Sequence, residues 1–168
     1  MASDRAANGD PLSWLSTLFL YLHVGGVIVA FGPTIAMPVI AARAAKEPMH
    51  GNFALRVSEF ITEKVVEPGA VFVFLMGVGL IVTKGYNPLV DLWVGLSIVL
   101  FLITLGFSYF AQLPVIRKMI ALTNQPPPAG AAGPPPEFVA LSSRAARGGI
   151  FMTVMLFTIL ALMIVKPF

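Results

Sequence analysis

Apolar residues gather into four long runs along the chain, Trp14 to Ala42, Val65 to Thr83, Leu89 to Pro114 and Gly149 to Val165, with polar positions confined mostly to the stretches between them. A helix crossing a bilayer needs about 20 such residues, and the runs meet or approach that length. They lack the period-two alternation of a barrel strand, and backbone inside hydrocarbon must satisfy its own hydrogen bonds. The pattern therefore predicts helices. The expected fold class is all-α: a membrane four-helix bundle forming one domain over residues 1–168.

The polar interruptions predict how the spans connect. From His50 to Lys64, a stretch carrying GNFALRVSEFITEK, Phe53, Val57, Phe60 and Ile61 recur at helical spacing, while Arg56, Glu59, Glu63 and Lys64 occupy much of the other side. This predicts an amphipathic helix lying at the cytoplasmic interface and running into the second span. Pro68 marks the expected bend, because proline removes an internal hydrogen bond and crowds the preceding turn. The short KGYNP turn makes spans two and three an antiparallel hairpin. Residues 125–137, QPPPAGAAGPPPE, read as an extended tether. Polyproline also suits the grooves of proline-binding domains, but a spacer needs no partner. Phe138, Val139 and Leu141 then suggest a second short interfacial helix ahead of the last span.

Composition supports the membrane reading: 57% of residues are hydrophobic and 11% charged, with a mean hydropathy of +0.86, outside the range of soluble domains. The net charge of +3 is a matter of topology rather than nucleic-acid binding. Eight of the eleven lysines and arginines fall on the first and third loops (Arg43, Lys46, Arg56, Lys64, Arg117, Lys118, Arg144, Arg147), and three fall elsewhere (Arg5, Lys84, Lys166). The positive-inside rule puts those two loops in the cytoplasm and both termini outside. Trp14, Tyr86, Trp93 and Phe168 then sit near the outer ends of spans, where aromatic belts form. The weakly charged N-terminus ahead of a long apolar run reads as an anchor rather than a cleaved signal.

Chemistry has few places to reside. With no cysteine, disulfides, thiolate metal sites and cysteine nucleophiles are excluded. His23 is the leading candidate, since an ionisable residue inside a span is costly and marks function by default. Gly26 and Ala30 share its helical face. They admit either close approach of another helix or a flat cofactor such as haem b, whose iron accepts an axial histidine. His50, the other histidine, lies about 27 helical residues away, roughly 40 Å along the axis, too far to share a metal. Met76, Met152 and Met155 are soft ligands or core packing. Glu67, Tyr109 and Gln112 fall toward the cytoplasmic ends of spans and Asp91 toward the outer end. That spread lacks the midplane site expected of a transporter. Hydrolase, phosphate-loop and zinc motifs are missing from the sequence.

The blocks LHVGGVIVAFGP, EPGAVFVFLMGVGLIV and ALMIVKPF resemble the bacterial membrane family called domain of unknown function 2269, which implies four transmembrane helices with a histidine early in the first. More distantly, the chain is similar to the membrane protoporphyrinogen oxidases, four-helix haem proteins whose early first-helix histidine and terminal VKPF-like ending are matched by His23 and Val165 to Phe168, and to the copper-resistance membrane domains. The third span, LVDLWVGLSIVLFLITLGFSYFAQLP, departs from the oxidase pattern, having neither lysine nor histidine. Taken together, the expected function is a structural or accessory subunit of a membrane complex, or of a homo-oligomer, in the bacterial inner membrane. Gly26, Ala30, Gly77 and Gly95 are its expected close-packing points. A haem-binding redox protein using His23 and a small-solute or proton permease are the alternatives.

Overall fold

The computed structural model describes residues 13–124 and 133–167. The described residues form four long helices with no strand: α1 (Ser13–Lys46), α2 (Gly51–Lys84), α3 (Leu92–Thr123) and α4 (Pro136–Val165). A 3₁₀ turn, Pro48–His50, links α1 to α2. The helices hold 34, 34, 32 and 30 residues, so at 1.5 Å per residue each is about 45–50 Å long and exceeds the roughly 30 Å hydrocarbon layer. The apolar stretches leave the excess at one end, where α1 and α3 finish and α2 and α4 begin. The eight clustered lysines and arginines lie at that end, the basic end.

At that end the segment around Gly51–Ile61 runs into the second span as expected, and its polar side packs on Leu113–Thr123 of α3. Asn52 Nδ2 donates to Thr123 Oγ1 at 2.8 Å and to Asn124 Oδ1 at 3.0 Å, and Arg56 Nη2 reaches the same Asn124 oxygen at 2.9 Å. Arg117 Nε donates to Glu59 Oε1 at 3.1 Å, and its Nη2 engages Glu63. Phe53 and Phe60 remain exposed. Likewise, the expected second interfacial helix is the first part of α4, which starts at Pro136 and so takes in the last two residues of the expected tether. Residues 125–132 of that tether, and Phe168, lie outside the described residues.

The helix continues through Pro68. Immediately ahead of it, Thr62–Val66 form a π turn, closed by the Glu67 N–H on the Thr62 carbonyl. The wider turn accommodates a residue that has no N–H and whose ring crowds the carbonyl four positions back. α3 repeats the device: Ser108–Gln112 form a π turn, the Leu113 N–H bonds the Ser108 carbonyl, and Pro114 follows.

α1 lies along the second-span part of α2, and Leu92–Phe107 of α3 along α4. The α1–α2 seam alternates small and large residues. Gly26 faces Phe72 and Val73, with a hypothetical Cβ 3.0 Å from each, and Ala30 Cβ lies 2.6 Å from where a Cβ on Gly69 would stand. The His23 ring occupies the notch at Gly77, and Phe19 the one at Gly79. Positions 19, 23, 26 and 30 follow the four–three–four spacing of a coiled-coil seam, and small residues there let the backbones approach. Across the middle, Phe74 of α2 stacks on Phe101 of α3 at 5.7 Å between centroids. On the other pair, Phe107 packs against Phe151 at 4.7 Å, and Gln112 Nε2 donates to the Ala145 carbonyl at 3.0 Å beside Gly148. A cluster of buried apolar side chains, Leu113, Val115, Met119 and Ile120, belongs to the basic end of α3.

At the opposite end the hairpin closes as the KGYNP motif implies. Gly85 has φ +69°, a left-handed C-cap that favours glycine, and the Tyr86 N–H returns to the Ile81 carbonyl at 3.1 Å. Asp91 Oδ2 accepts from the Asn87 N–H at 2.7 Å. Lys166 Nζ stands 5.2 Å from the Trp93 ring centroid and 5.6 Å from that of Tyr86, a cation held on two aromatic faces.

Candidate functional site

Two places in the bundle bring polar groups into the apolar layer. The first is His23. Its Nδ1 lies 2.9 Å from the Val73 carbonyl on α2. A carbonyl can only accept, so Nδ1 carries the proton and Nε2 keeps its lone pair. The ring edge fills the Gly77 notch, with Cε1 3.2 Å from where a Cβ would stand. Among the described residues Nε2 has no hydrogen-bond partner. His23, Gly26 and Ala30, placed on one face of the first helix from sequence, thus meet the second helix in a seam that also takes in Gly77.

Gly95 is placed differently: the nearest atom to a hypothetical Cβ there is the Pro88 carbonyl oxygen, so its close approach is to the turn preceding its own helix. His50 sits in the 3₁₀ turn at the basic end, its Nδ1 3.2 Å from Glu47, which also pairs with Arg43. His23 and His50 therefore serve separate local contacts.

The second place is a groove of about 620 Å³ between α2 and α3, lined by Glu63, Glu67 and Tyr109 toward the basic end and by Val71, Leu102 and Gly106 toward the middle. Sequence reading named Glu67 and Tyr109 as isolated polar residues at span ends, and the α2–α3 pairing brings them to one groove. Gln112 turns instead to α4 and Asp91 to the hairpin. The part sequence reading missed is the ladder of Glu59, Glu63 and Glu67 at i, i+4, i+8, with Arg117 across from the first two. The fourfold spacing is a visible signal, although the sequence pattern divides it between the polar side of the amphipathic stretch, Glu59 and Glu63, and a span end, Glu67. Among the described side chains, the buried polar atoms with no partner are Glu67 Oε1 and Ser108 Oγ. Each belongs to a π turn: Glu67 caps the first and Ser108 begins the second. Such turns recur at functional sites, and a buried polar group without a partner calls for an explanation. Among the described residues, no group of three His, Asp or Glu side chains could hold a metal ion.

A family model described as "Predicted integral membrane protein (DUF2269)" matches residues 17–167, which takes in all four helices. No curated protein and no solved structure matches the chain.

Proposed function

We propose, from the premise that the chain belongs to the DUF2269 family of predicted integral membrane proteins, that it is a structural or accessory subunit of a membrane complex. The observation that carries this reading is the use made of His23. The one histidine inside a span is spent on a hydrogen bond to the α2 backbone and on filling the Gly77 notch, so it locks two helices together. The outward faces of α1, including Ile28, Val29, Ile35 and Val39, are apolar and exposed along the helix, a surface for lipid or for neighbouring spans. The lysine and arginine distribution supports a bacterial inner-membrane placement with the basic end cytoplasmic and both termini outside. Gentle detergent purification with mass spectrometry of the co-purifying proteins tests the reading. A stoichiometric membrane partner is expected, and a chain that runs alone or as a self-assembled oligomer at native expression overturns it.

One observation favours a second reading. A histidine that donates Nδ1–H to a backbone carbonyl is oriented as metal-bound imidazoles are, with Nε2 free to ligate. Here His23 would hold haem b as an axial ligand, the iron supplying electron transfer. The visible spectrum of the same preparation decides: a reducible Soret band that disappears in His23→Ala establishes this reading, and a colourless protein removes it.

A further inference from the structure

We propose that the groove between α2 and α3 holds a membrane aminophospholipid, its ammonium donating hydrogen bonds to Glu67 and its acyl chain lying along Val71, Leu102, Leu105 and Gly106. Three independent features lead there. The groove is amphiphilic along its length, with carboxylates and a phenol at one end and hydrocarbon walls at the other. That is the order of a lipid standing in its leaflet, polar head at the basic end and tail toward the midplane. Its volume of about 620 Å³ lies within the range of small-molecule sites. The walls at Val71, Leu102, Tyr109 and Phe110 are exposed, so the groove opens sideways to the bilayer.

The head group follows from what Glu67 lacks. Arg117 takes up Glu59 and Glu63, while Glu67 Oε1 is buried with no donor from the protein. A carboxylate is an acceptor only, and a primary ammonium brings three donors and a positive charge. A choline head has the charge without N–H, and a glycerol head has donors without the charge, so neither fits as well. Lys64 and Lys118, each one residue in sequence from Glu63 and Arg117, add positive charge at the same basic end as the phosphate. The bare metal ion that a carboxylate ladder also suggests lacks a third ligand of the right kind among the described residues.

The test uses the full chain in nanodiscs of dioleoyl phosphatidylcholine. Dioleoyl phosphatidylethanolamine, its N-methyl and N,N-dimethyl forms, and dioleoyl phosphatidylglycerol are titrated in, and retained lipid is read by native mass spectrometry. Retention is expected to fall stepwise with each N–H replaced by methyl. Glu67→Gln is expected to weaken phosphatidylethanolamine binding about tenfold, the size of one charge-assisted hydrogen bond. Gly106→Phe keeps Glu67 but fills the groove. A Cβ at Gly106 meets nothing within 4 Å, so the added side chain starts in open space, and this variant too is expected to lose the bound lipid, which keeps the proposal testable if Glu67→Gln does not fold. Equal retention of all head groups, a phosphatidylethanolamine preference that survives Gly106→Phe, or stronger retention of phosphatidylglycerol or of a neutral quinone overturns the proposal.

Discussion

Ala30 of the first helix approaches Gly69 of the second closely enough to bring backbone into contact, and adding one methyl group there exposes how the bundle is held. In Gly69→Ala the new Cβ would stand 2.6 Å from Ala30 Cβ and 3.3 Å from Ala30 Cα. Carbon atoms prefer about 3.5–4.0 Å, so the helices must separate by roughly 1 Å. Overpacking of this kind costs about 1–3 kcal/mol. The same substitution gains about 1 kcal/mol of helix propensity, which a reference variant must cancel. Gly25→Ala supplies it: the residue is helical and a Cβ there meets nothing within 4 Å. Gly69→Ala is therefore expected to be less stable than Gly25→Ala by about 1–3 kcal/mol, measured by reversible unfolding in mixed micelles. Adding Ala30→Gly removes the Cβ at 2.6 Å and is expected to recover most of the loss, giving a favourable coupling in a double-mutant cycle. Equal stability of the two single alanine variants, or no coupling with Ala30→Gly, would refute the packing argument.

Other substitutions probe other joints. His23→Ala removes the bond to Val73 and empties the Gly77 notch; interhelical hydrogen bonds in membranes contribute about 0.6 kcal/mol on average, and the cavity adds to this, so a loss of about 1–2 kcal/mol is expected in the same unfolding assay. Arg117→Ala leaves Glu59 and Glu63 facing one another, and because the site is half-exposed the resulting loss of stability is expected at low salt and to shrink at high salt. Lys166→Ala should cost about 0.5–1 kcal/mol, the size of an exposed cation–π contact, and should alter Trp93 fluorescence. Reporter fusions after Gly130 and after Phe168 are expected to give opposite signals, cytoplasmic and outside; swapped signals would reverse the proposed threading, and the same signal from both would refute a crossing between them.

The four spans are legible in sequence because twenty apolar residues in a row have few soluble uses. Their ends are not. Hydropathy falls where a helix leaves hydrocarbon, so Gly149 reads as the start of a helix that begins at Pro136. The pattern of Phe53, Val57, Phe60 and Ile61 says that one face is apolar but not which surface lies opposite, and the polar side found α3 through Asn52, Arg56 and Glu59. Pro68 reads as a bend because proline costs a regular helix about 3 kcal/mol, but the π turn immediately ahead of it, which has no sequence signature, does not. In the site, His23 stands out by its chemistry, whereas its partner is a backbone carbonyl, identical at every residue. Glu67 and Tyr109 were visible one at a time. Their meeting depends on how two helices pair, which neither helix's own pattern encodes.

Each π turn holds one residue more than the regular spiral it interrupts, and this surplus makes the chain intolerant of changes in length rather than of composition. Excising one residue from 62–66 would leave a helix that is better bonded by ordinary standards. It would also rotate everything before the excision by about 100° relative to Glu67–Lys84. Asn52, Arg56 and Glu59 would swing away from α3, while Gly69, Val73 and Gly77 stayed on α1. The surplus residue thus works as a fixed twist between two sections of one rod, letting a single helix present one side to its neighbour within the bilayer and an unrelated side to a different neighbour beyond it.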